Sequence, residues 1–261
     1  MSKTPEEFKL LQKTNHKEII TNGEVCIKKY SKKWDFSETI FQNESDMMQL
    51  IYSIDSNLCP KLLKKYVTER DYILVMEYCG DDLFNLRLKL KNKKEIMSKA
   101  LKIIKKLHDN NIVHTDIKLE NFVYNEETDS LKIIDFSETY IVKKKYIVPC
   151  GTILYKPEEF LIDGETEKHS DIWSLGVMMV LLSRNNNSSI EYWNNNFLWY
   201  ELNEFGVLKT KHRGELYRYF RNVIKYYENK KYFNNFICSL ENRKKYSYEN
   251  TIKDLELMNF D

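Results

Sequence analysis

Four polar side chains of different chemistry lie within eight positions, between two apolar stretches of the chain. The segment IVHTDIKLENFVYN contains His114, Asp116, Lys118 and Asn121. A second carboxylate, Asp135, follows fourteen residues after Asn121, at the end of the apolar run LKII. A His-X-Asp sequence by itself is common in turns. The added amide and the second carboxylate favour a functional loop over a plain turn.

These side chains suit the chemistry of phosphoryl transfer. That reaction needs a carboxylate to orient the acceptor hydroxyl and take its proton, together with oxygen ligands for Mg²⁺. Asp116 suits the first role, and Asn121 and Asp135 suit the second. Lys118 can neutralise charge on the transferred phosphate. The pattern therefore predicts a phosphotransferase.

Composition excludes several other classes of protein. The chain has 261 residues, and 42% of them are hydrophobic, so it can bury a substantial core. Its charges nearly cancel to +2, which is not typical of a protein that binds nucleic acid directly, and the run Lys143–Lys145 indicates a solvated face. The five cysteines show no metal-ligand spacing, the N-terminal segment has no signal-peptide core, and the longest apolar run is too short for a membrane span. We expect an intracellular, cytoplasmic protein.

The order of predicted elements indicates a mixed α+β fold. Asn22-Gly23 predicts a hairpin between the strands KEIIT and EVCIKKY, a helix follows over 40–54, and then come the strands KLLKKYVTE and YILVMEY. After Gly80 the pattern changes to an amphipathic helix over 93–109, a strand LKIIDF and a mostly helical remainder. We expect one domain over 1–261, β-rich with one main helix over about 1–79 and mostly helical over about 80–261.

Six motifs in the same order resemble those of eukaryotic protein kinases. They are the strand Val25-Cys26-Ile27-Lys28, the hinge-like Met76-Glu77-Tyr78-Cys79, the loop from His114 to Asn121, Asp135-Phe136-Ser137, Gly151-Thr152 followed by Tyr155 and Lys156-Pro157-Glu158, and Asp171-Ile172-Trp173-Ser174-Leu175-Gly176. The lysine at position 118, two residues after Asp116, resembles the pattern of serine/threonine kinases rather than that of tyrosine kinases. Small-molecule phosphotransferases share the central loop but not the last two motifs. The resemblance implies a two-lobed kinase fold.

The resemblance also implies a role for each candidate residue. Lys28 would hold the α- and β-phosphates of ATP and pair with Glu44, with Glu38 as the alternative partner. Asp116 would orient the substrate hydroxyl, Lys118 would stabilise the phosphoryl group, Thr152 would bond within the catalytic loop, and Asp171 would hold the backbone of that loop. Asn121 and Asp135 would hold Mg²⁺ or Mn²⁺. The residues implied in nucleotide binding are Lys28, Met76, Glu77, Cys79, Ile20, Cys26, Val123, Asn121 and Asp135. The implied partner is a protein with a Ser or Thr acceptor, and we assume a monomer.

Three departures from the family pattern bear on activity. The glycine-rich loop upstream of Lys28 is missing, and we expect a shortened turn near Lys13–His16, where Lys13 or His16 would supply a compensating charge. Ser137 stands where the family has glycine, which would restrict the flip of that segment. Thr115 stands where the family has an arginine that pairs with a phosphorylated segment.

We therefore expect an active kinase that does not depend on phosphorylation of Thr139, Tyr140 or Thr152. The alternative is a pseudokinase that binds and modulates a partner protein. Near the C-terminus, Arg243 or Lys245 would pair with Glu158. The small size, the trimmed loop and the composition, which is rich in Lys, Asn, Ile and Tyr, are similar to kinases of large DNA viruses, especially insect viruses, and a protozoan source fits nearly as well.

Overall fold

The computed structural model describes residues 7–142, 146–147, 152, 155–156, 165–166 and 168–183, and the single positions 249, 253 and 257. Their contacts divide them into two compact units. The first contains the described residues up to Leu83 together with Glu120–Tyr140, and the second contains Phe84–Leu119 and the described residues from Ile141 onward.

The first unit is built on a five-stranded antiparallel sheet with the strand order β1-β2-β3-β5-β4. The strands are β1 Lys9–Lys13, β2 Lys17–Thr21, β3 Val25–Ser31, β4 Leu62–Val67 and β5 Asp71–Glu77. The predicted hairpin between β2 and β3 is confirmed. Gly23 adopts a φ of 90°, and the Asn22 side chain accepts the N–H groups of Glu24 and Val25. This turn fixes a register in which Ile19 lies opposite Lys28.

One long helix, α1 (Ser37–Ile54), packs against strands β3, β4 and β5. It begins three residues before the predicted start. Its buried positions recur at helical spacing, so one face lies in the core. They are Ser37, Phe41, Glu44, Ser45, Met48 and Ile51. Glu44 is the only acidic residue among them, and burial of a carboxylate requires a charged or hydrogen-bonding partner.

A second, three-stranded sheet completes the first unit, in the order β6-β8-β9. Its strands are β6 Asp81–Asp82, β8 Phe122–Asn125 and β9 Ser130–Ile133. Gly80, just before β6, has a φ of 105°, and a Cβ there would lie 2.2 Å from the Tyr124 carbonyl oxygen, so only glycine fits. The predicted strand LKIIDF ends earlier than expected, at Ile133, because Asp135 has a left-handed φ of 66° that a strand cannot contain.

The second unit is mainly helical in its described part. Its long helices are α3 Lys93–Asp109 and α4 Lys168–Ser183, which pack against each other. Short elements are the helix α2 Leu83–Leu86 at the boundary of the units, a 3₁₀ turn Leu119–Asn121, and the strands β7 Ile112–Val113, β10 Tyr140–Ile141, β11 Tyr146–Ile147 and β12 Glu165–Thr166.

Helix α3 has the bounds that its sequence predicts. It buries the predicted apolar face, and Lys106 and His108 lie in its last turn, where cations interact favourably with the helix dipole. In α4 the predicted run LGVMMVLL lies mostly in the core, including Leu175, Met178 and Leu182. The predicted α+β class is confirmed by these elements. Within the part of the chain that the structure describes, no helix has both the length and the apolar character needed to cross a bilayer.

Candidate active site

A buried ion cluster lies in the first unit, between the sheet and helix α1. The Nζ atom of Lys28 lies 2.7 Å from Glu44 Oε1 and 2.8 Å from Asp135 Oδ1. The Lys28 side chain is only 5% exposed, so its charge requires a carboxylate partner, and two lie within contact distance. Burial by itself would lower the pKa of Lys28, but the charges of Asp135 and Glu44 hold it well above its ordinary value. The structure thus joins Lys28 to Glu44, while the alternative partner Glu38 is exposed.

Tyr30 is the second hydrogen-bond partner of the Glu44 carboxylate. Its hydroxyl donates a hydrogen bond to Glu44 Oε2, the oxygen that Lys28 does not contact. Tyr30 lies two residues after Lys28 on β3, so both side chains are on the face that α1 covers. Burial raises the pKa of the Tyr30 hydroxyl well above its ordinary value, so the group remains a donor. Both oxygens of Glu44 are therefore fixed.

Asp135 is held by three donors. Besides Lys28, it accepts a hydrogen bond from Ser137 Oγ at 3.0 Å, and Lys17 Nζ lies 3.4 Å from its Oδ2. Burial by itself would raise the pKa of Asp135, but the charges of Lys28 and Lys17 hold it far below its ordinary value. The group is an anion at neutral pH, as a metal ligand must be.

Asn121 and Asp135 lie at the same end of one hairpin. Asn121 directly precedes β8, Asp135 follows β9 by two residues, and the Ile134 N–H donates to the Asn121 carbonyl at 2.9 Å. Among the described residues, no group of three or more His, Cys, Asp or Glu side chains could hold a metal. Mg²⁺ is usually bound by one or two carboxylates together with substrate phosphates and water. One carboxylate and one amide fit that requirement.

Helix α1 also holds the segment after Asp135. The Asn43 amide donates to the carbonyl oxygens of Phe136, Ser137 and Thr139 at 3.2, 2.9 and 3.0 Å. Asn43 directly precedes Glu44, so neighbouring residues of one helix bind the lysine and the Asp135 segment.

The β2–β3 register sorts the predicted nucleotide contacts by face. Cys26 is two residues before Lys28 and lies opposite Met76 of β5, so all three side chains share one face. Ile20 lies opposite Ile27, on the other face, and the structure does not bring it together with Lys28. Its neighbour Ile19 takes the position opposite Lys28 instead.

The remaining predicted contacts, Glu77, Cys79 and Val123, lie at the end of β5, two residues after it, and on β8. The Glu77 carboxylate pairs with Lys132 at 3.1 Å, and Val123 is nearly buried on β8. Burial raises the pKa of the Cys26 thiol to about 11 and that of the Cys79 thiol to about 12. Both thiols are therefore neutral, and they present small, weakly polar groups.

In the second unit, Asp116, Lys118 and Thr152 form a closed triangle of contacts. Lys118 Nζ lies 2.7 Å from Asp116 Oδ2 and donates to Thr152 Oγ1 at 2.9 Å. Thr152 donates to Asp116 Oδ1 through both its N–H and its hydroxyl, each at 2.8 Å. Burial by itself would raise the pKa of Asp116, but the charge of Lys118 keeps it below its ordinary value. Asp116 is thus an ionised carboxylate, suited to orient a hydroxyl and accept its proton late in the reaction.

The backbone before Asp116 is held by Asp171 of helix α4. Asp171 Oδ2 accepts the His114 N–H at 2.7 Å, and Oδ1 accepts the Thr115 N–H at 2.8 Å. His108 of helix α3 lies 3.1 Å from the same carboxylate. Thr115 has a φ of 71°, a conformation that is costly for a β-branched residue. The two hydrogen bonds to Asp171 hold this strained conformation.

Lys156 binds a backbone carbonyl of the same loop. Its Nζ donates to the Thr115 carbonyl oxygen, and the lysine is only 2% exposed. A cation is therefore present beside position 115, although it comes from another segment and contacts the backbone.

Several predicted features lie outside the described residues. They are Gly151, Pro157, Glu158, Lys143–Lys145, and Arg243 or Lys245 as partner of Glu158.

Five residues that contact these groups were not predicted from the sequence as participants. They are Lys17, Tyr30, Asn43, His108 and Lys156. The position of Lys17 could have been predicted from the sequence. A two-residue turn at Asn22-Gly23 sets a strand register that places the side chains of Lys17 and Lys28 on the same face of the sheet. The contacts of the other four depend on tertiary packing.

Comparison with known proteins gives a consistent match. Residues 13–247 match the family model of the protein kinase domain. Calcium-dependent protein kinase 4 of Plasmodium berghei is 32% identical over 192 residues, which cover 67% of this chain and 36% of that protein. The Drosophila melanogaster ovarian-specific serine/threonine-protein kinase Lok is 34% identical over 151 residues, covering 52% of this chain and 31% of that protein.

The mouse serine/threonine-protein kinase DCLK3 is 31% identical over 142 residues, covering 51% of this chain and 18% of that protein. The matched regions thus span well under half the length of each of these three relatives.

Proposed function

This chain belongs to the protein kinase domain family, and we propose that it is an active serine/threonine kinase that transfers the γ-phosphate of ATP to protein hydroxyl groups. The observation that carries the proposal is the retention of both sets of charged groups with their partners. Lys28 is paired with Glu44 in the first unit, and Asp116 is paired with Lys118 in the second. Paired charges that are buried or partly buried are costly, and they cluster at functional sites.

Each group has a role that its chemistry supports. Lys28 binds nucleotide phosphates, and Glu44 positions Lys28. Asn121 and Asp135 would hold Mg²⁺, which would neutralise phosphate charge. Asp116 orients the acceptor hydroxyl and receives its proton.

Lys118 stabilises negative charge on the transferred group, and Thr152 positions both Lys118 and Asp116. Its hydroxyl is well suited to this, because it accepts a hydrogen bond from one of them and donates to the other.

We also propose that activity does not depend on a phosphorylated activation segment. In the family an arginine before the catalytic Asp pairs with the phosphate, and Thr115 cannot do so. The loop has other attachments here, to Asp171 through two N–H groups and to Lys156 through a carbonyl. Glu44 is likewise fixed by Tyr30. These contacts support a site that is assembled by unmodified side chains.

The test is transfer of labelled γ-phosphate from ATP to a generic basic protein substrate. We expect the wild type to exceed Asp116→Ala by about 10²–10⁴-fold, with Asp135→Asn similarly impaired, and label on Ser and Thr. Asp109→Ala, at an exposed carboxylate, is the matched control and should retain wild-type rates.

A second candidate function, a pseudokinase, is favoured by the missing glycine-rich loop. In that case the wild type would transfer no more phosphate than Asp116→Ala under either Mg²⁺ or Mn²⁺, while thermal melting would show that both proteins are folded.

A further inference from the structure

The turn that stands where the family has its glycine-rich loop uses its backbone amides internally. Strands β1 and β2 are joined by Thr14–His16, and the Thr14 hydroxyl oxygen accepts the N–H groups of His16 at 3.2 Å and Lys17 at 3.0 Å. The Thr14 N–H donates to the Lys17 carbonyl at 2.8 Å. Two amides of this turn, and that of Lys17 at the start of β2, are therefore already bonded. They do not serve as donors to a phosphate as glycine-loop amides do.

Side chains of the turn differ in what they reach. Lys13 is 66% exposed and pairs with Glu18 at 3.3 Å. His16 stacks on Trp34, with ring centroids 5.1 Å apart. Neither of the two residues predicted to compensate is seen to contact the ion cluster. Lys17 does contact it, through Asp135 at 3.4 Å.

The position of Lys17 follows from the sheet register. Lys17 lies opposite Tyr30, and Ile19 lies opposite Lys28, so Lys17 and Lys28 are on the same face of neighbouring strands. Two ammonium groups consequently flank one carboxylate, each on a different oxygen of Asp135.

The two lysines are held to different degrees. The Lys28 side chain is 5% exposed and has short contacts to two carboxylates, whereas the Lys17 side chain is 22% exposed and its contact to Asp135 is longer. Lys17 is thus the looser cation. It can shift from Asp135 to an incoming anion at little cost, because its present contact is long and partly solvated.

We propose that Lys17 binds the terminal phosphates of a nucleoside triphosphate and replaces the backbone amides that a glycine-rich loop would supply. This proposal rests on the proposed function, since it requires the nucleotide site beside Lys28. If Lys17 binds these phosphates, its contribution to affinity should increase with the number of phosphates on the ligand. Removing the ammonium should weaken binding of ATP, weaken ADP less, and leave adenosine unaffected.

The experiment is calorimetric titration of the full chain with ATP, ADP and adenosine, the two nucleotides each with and without Mg²⁺. For Lys17→Met we expect about tenfold weaker ATP binding, since a charge-assisted hydrogen bond is lost, and adenosine affinity within about twofold of wild type. Lys17→Arg should stay within about threefold. Lys13→Met is the matched control, because it removes the lysine at the other end of the same turn, and it should bind as the wild type does.

Three results would overturn the proposal. They are wild-type ATP affinity in Lys17→Met, an equal loss for adenosine and ATP, or an equal loss in Lys13→Met. If Lys17→Met melts early, Lys17→Gln provides the same removal of charge with a polar side chain and is judged by the same criteria.

The nucleotide-binding experiment and the phosphate-transfer experiment can refute the two proposals independently. A wild type that shows the lysine-dependent binding but transfers no phosphate would refute the proposed function and leave Lys17 as a phosphate-binding residue. A wild type that transfers phosphate and binds ATP independently of Lys17 would refute the assignment of Lys17. A wild type that binds no nucleotide would refute both.

Discussion

The ion cluster of the first unit and the loop before Asp116 in the second are held by different means. In the first, Lys28 is held by carboxylates on helix α1 and after β9, so side chains hold side chains. In the second, Asp171 accepts backbone N–H groups of His114 and Thr115, and Lys156 binds a backbone carbonyl. The first arrangement requires particular charged residues at several positions. The second requires Asp171 and Lys156, but these bind only backbone groups of the loop, so the side chain at position 115 can change.

This difference accounts for one of the departures from the family, the threonine at position 115. Thr115 replaces an arginine without releasing the loop, because neither attachment involves its side chain. By contrast, Lys28, Glu44 and Asp135 are all retained, since loss of any one would leave a buried charge unbalanced.

The largest effect is expected from breaking the backbone attachment. Asp171→Asn removes a charge and places a donor against N–H donors, so we expect about 3–5 kcal/mol lower free energy of unfolding in urea. Phosphate transfer should fall with it. Asp109→Asn, the matched exposed control, should remain within about 0.5 kcal/mol of the wild type.

The same attachment has a pH signature. Burial by itself would raise the pKa of Asp171, but the hydrogen bond from His108 and the charges of the histidines hold it below its ordinary value of 3.8. Because the folded pKa is lowered, the stabilisation is present above that value and is lost as pH falls through the folded pKa. The acid loss of stability should be shallower in Asp171→Asn. An identical acid profile in the variant would contradict the assigned role of Asp171.

A smaller effect is expected in the first unit from Tyr30→Phe. The change removes one donor to Glu44 but leaves the Lys28 pair, so we expect about 1–2 kcal/mol lower unfolding free energy and a several-fold loss of transfer. Tyr72→Phe is the matched control, since Tyr72 lies opposite Tyr30 on β5 and contacts the exposed Glu38 instead. Equal rates for the two variants would show that Tyr30 does not position Glu44.

Much of the first unit could be predicted from the sequence, because its key groups carry unusual chemistry at regular spacing. The resemblance of Val25-Cys26-Ile27-Lys28 to a family motif selected Lys28, and the helix predicted sixteen positions later favoured Glu44 over Glu38 as its partner. Register was the weak point. Ile20 was chosen where Ile19 lies, since side chains alternate faces and a one-residue error moves a position to the other side of the sheet.

The family resemblance implied the attachment to Asp171, but the other attachments in the second unit were harder to predict. The sequence shows that Thr115 replaces a cationic residue of the family pattern. It does not show that Lys156, forty-one residues later, donates to the Thr115 carbonyl. Nothing in the composition of either segment indicates that contact. His108 is similar: it lies at the end of a predicted apolar face, and only the packing of α3 against α4 brings it to Asp171.

The central claim is that unmodified side chains assemble this site, and the smallest expected effect tests it most directly. The measurement is phosphate transfer by phosphatase-treated Thr139→Val/Tyr140→Phe, compared with the untreated wild type at saturating Mg-ATP. Thr152 is left intact, because it bonds directly to Asp116. We expect the two rates to agree within about threefold, a difference of less than 1 kcal/mol in the barrier. A fall of about a hundredfold or more would contradict the claim and show that a phosphorylated segment is required.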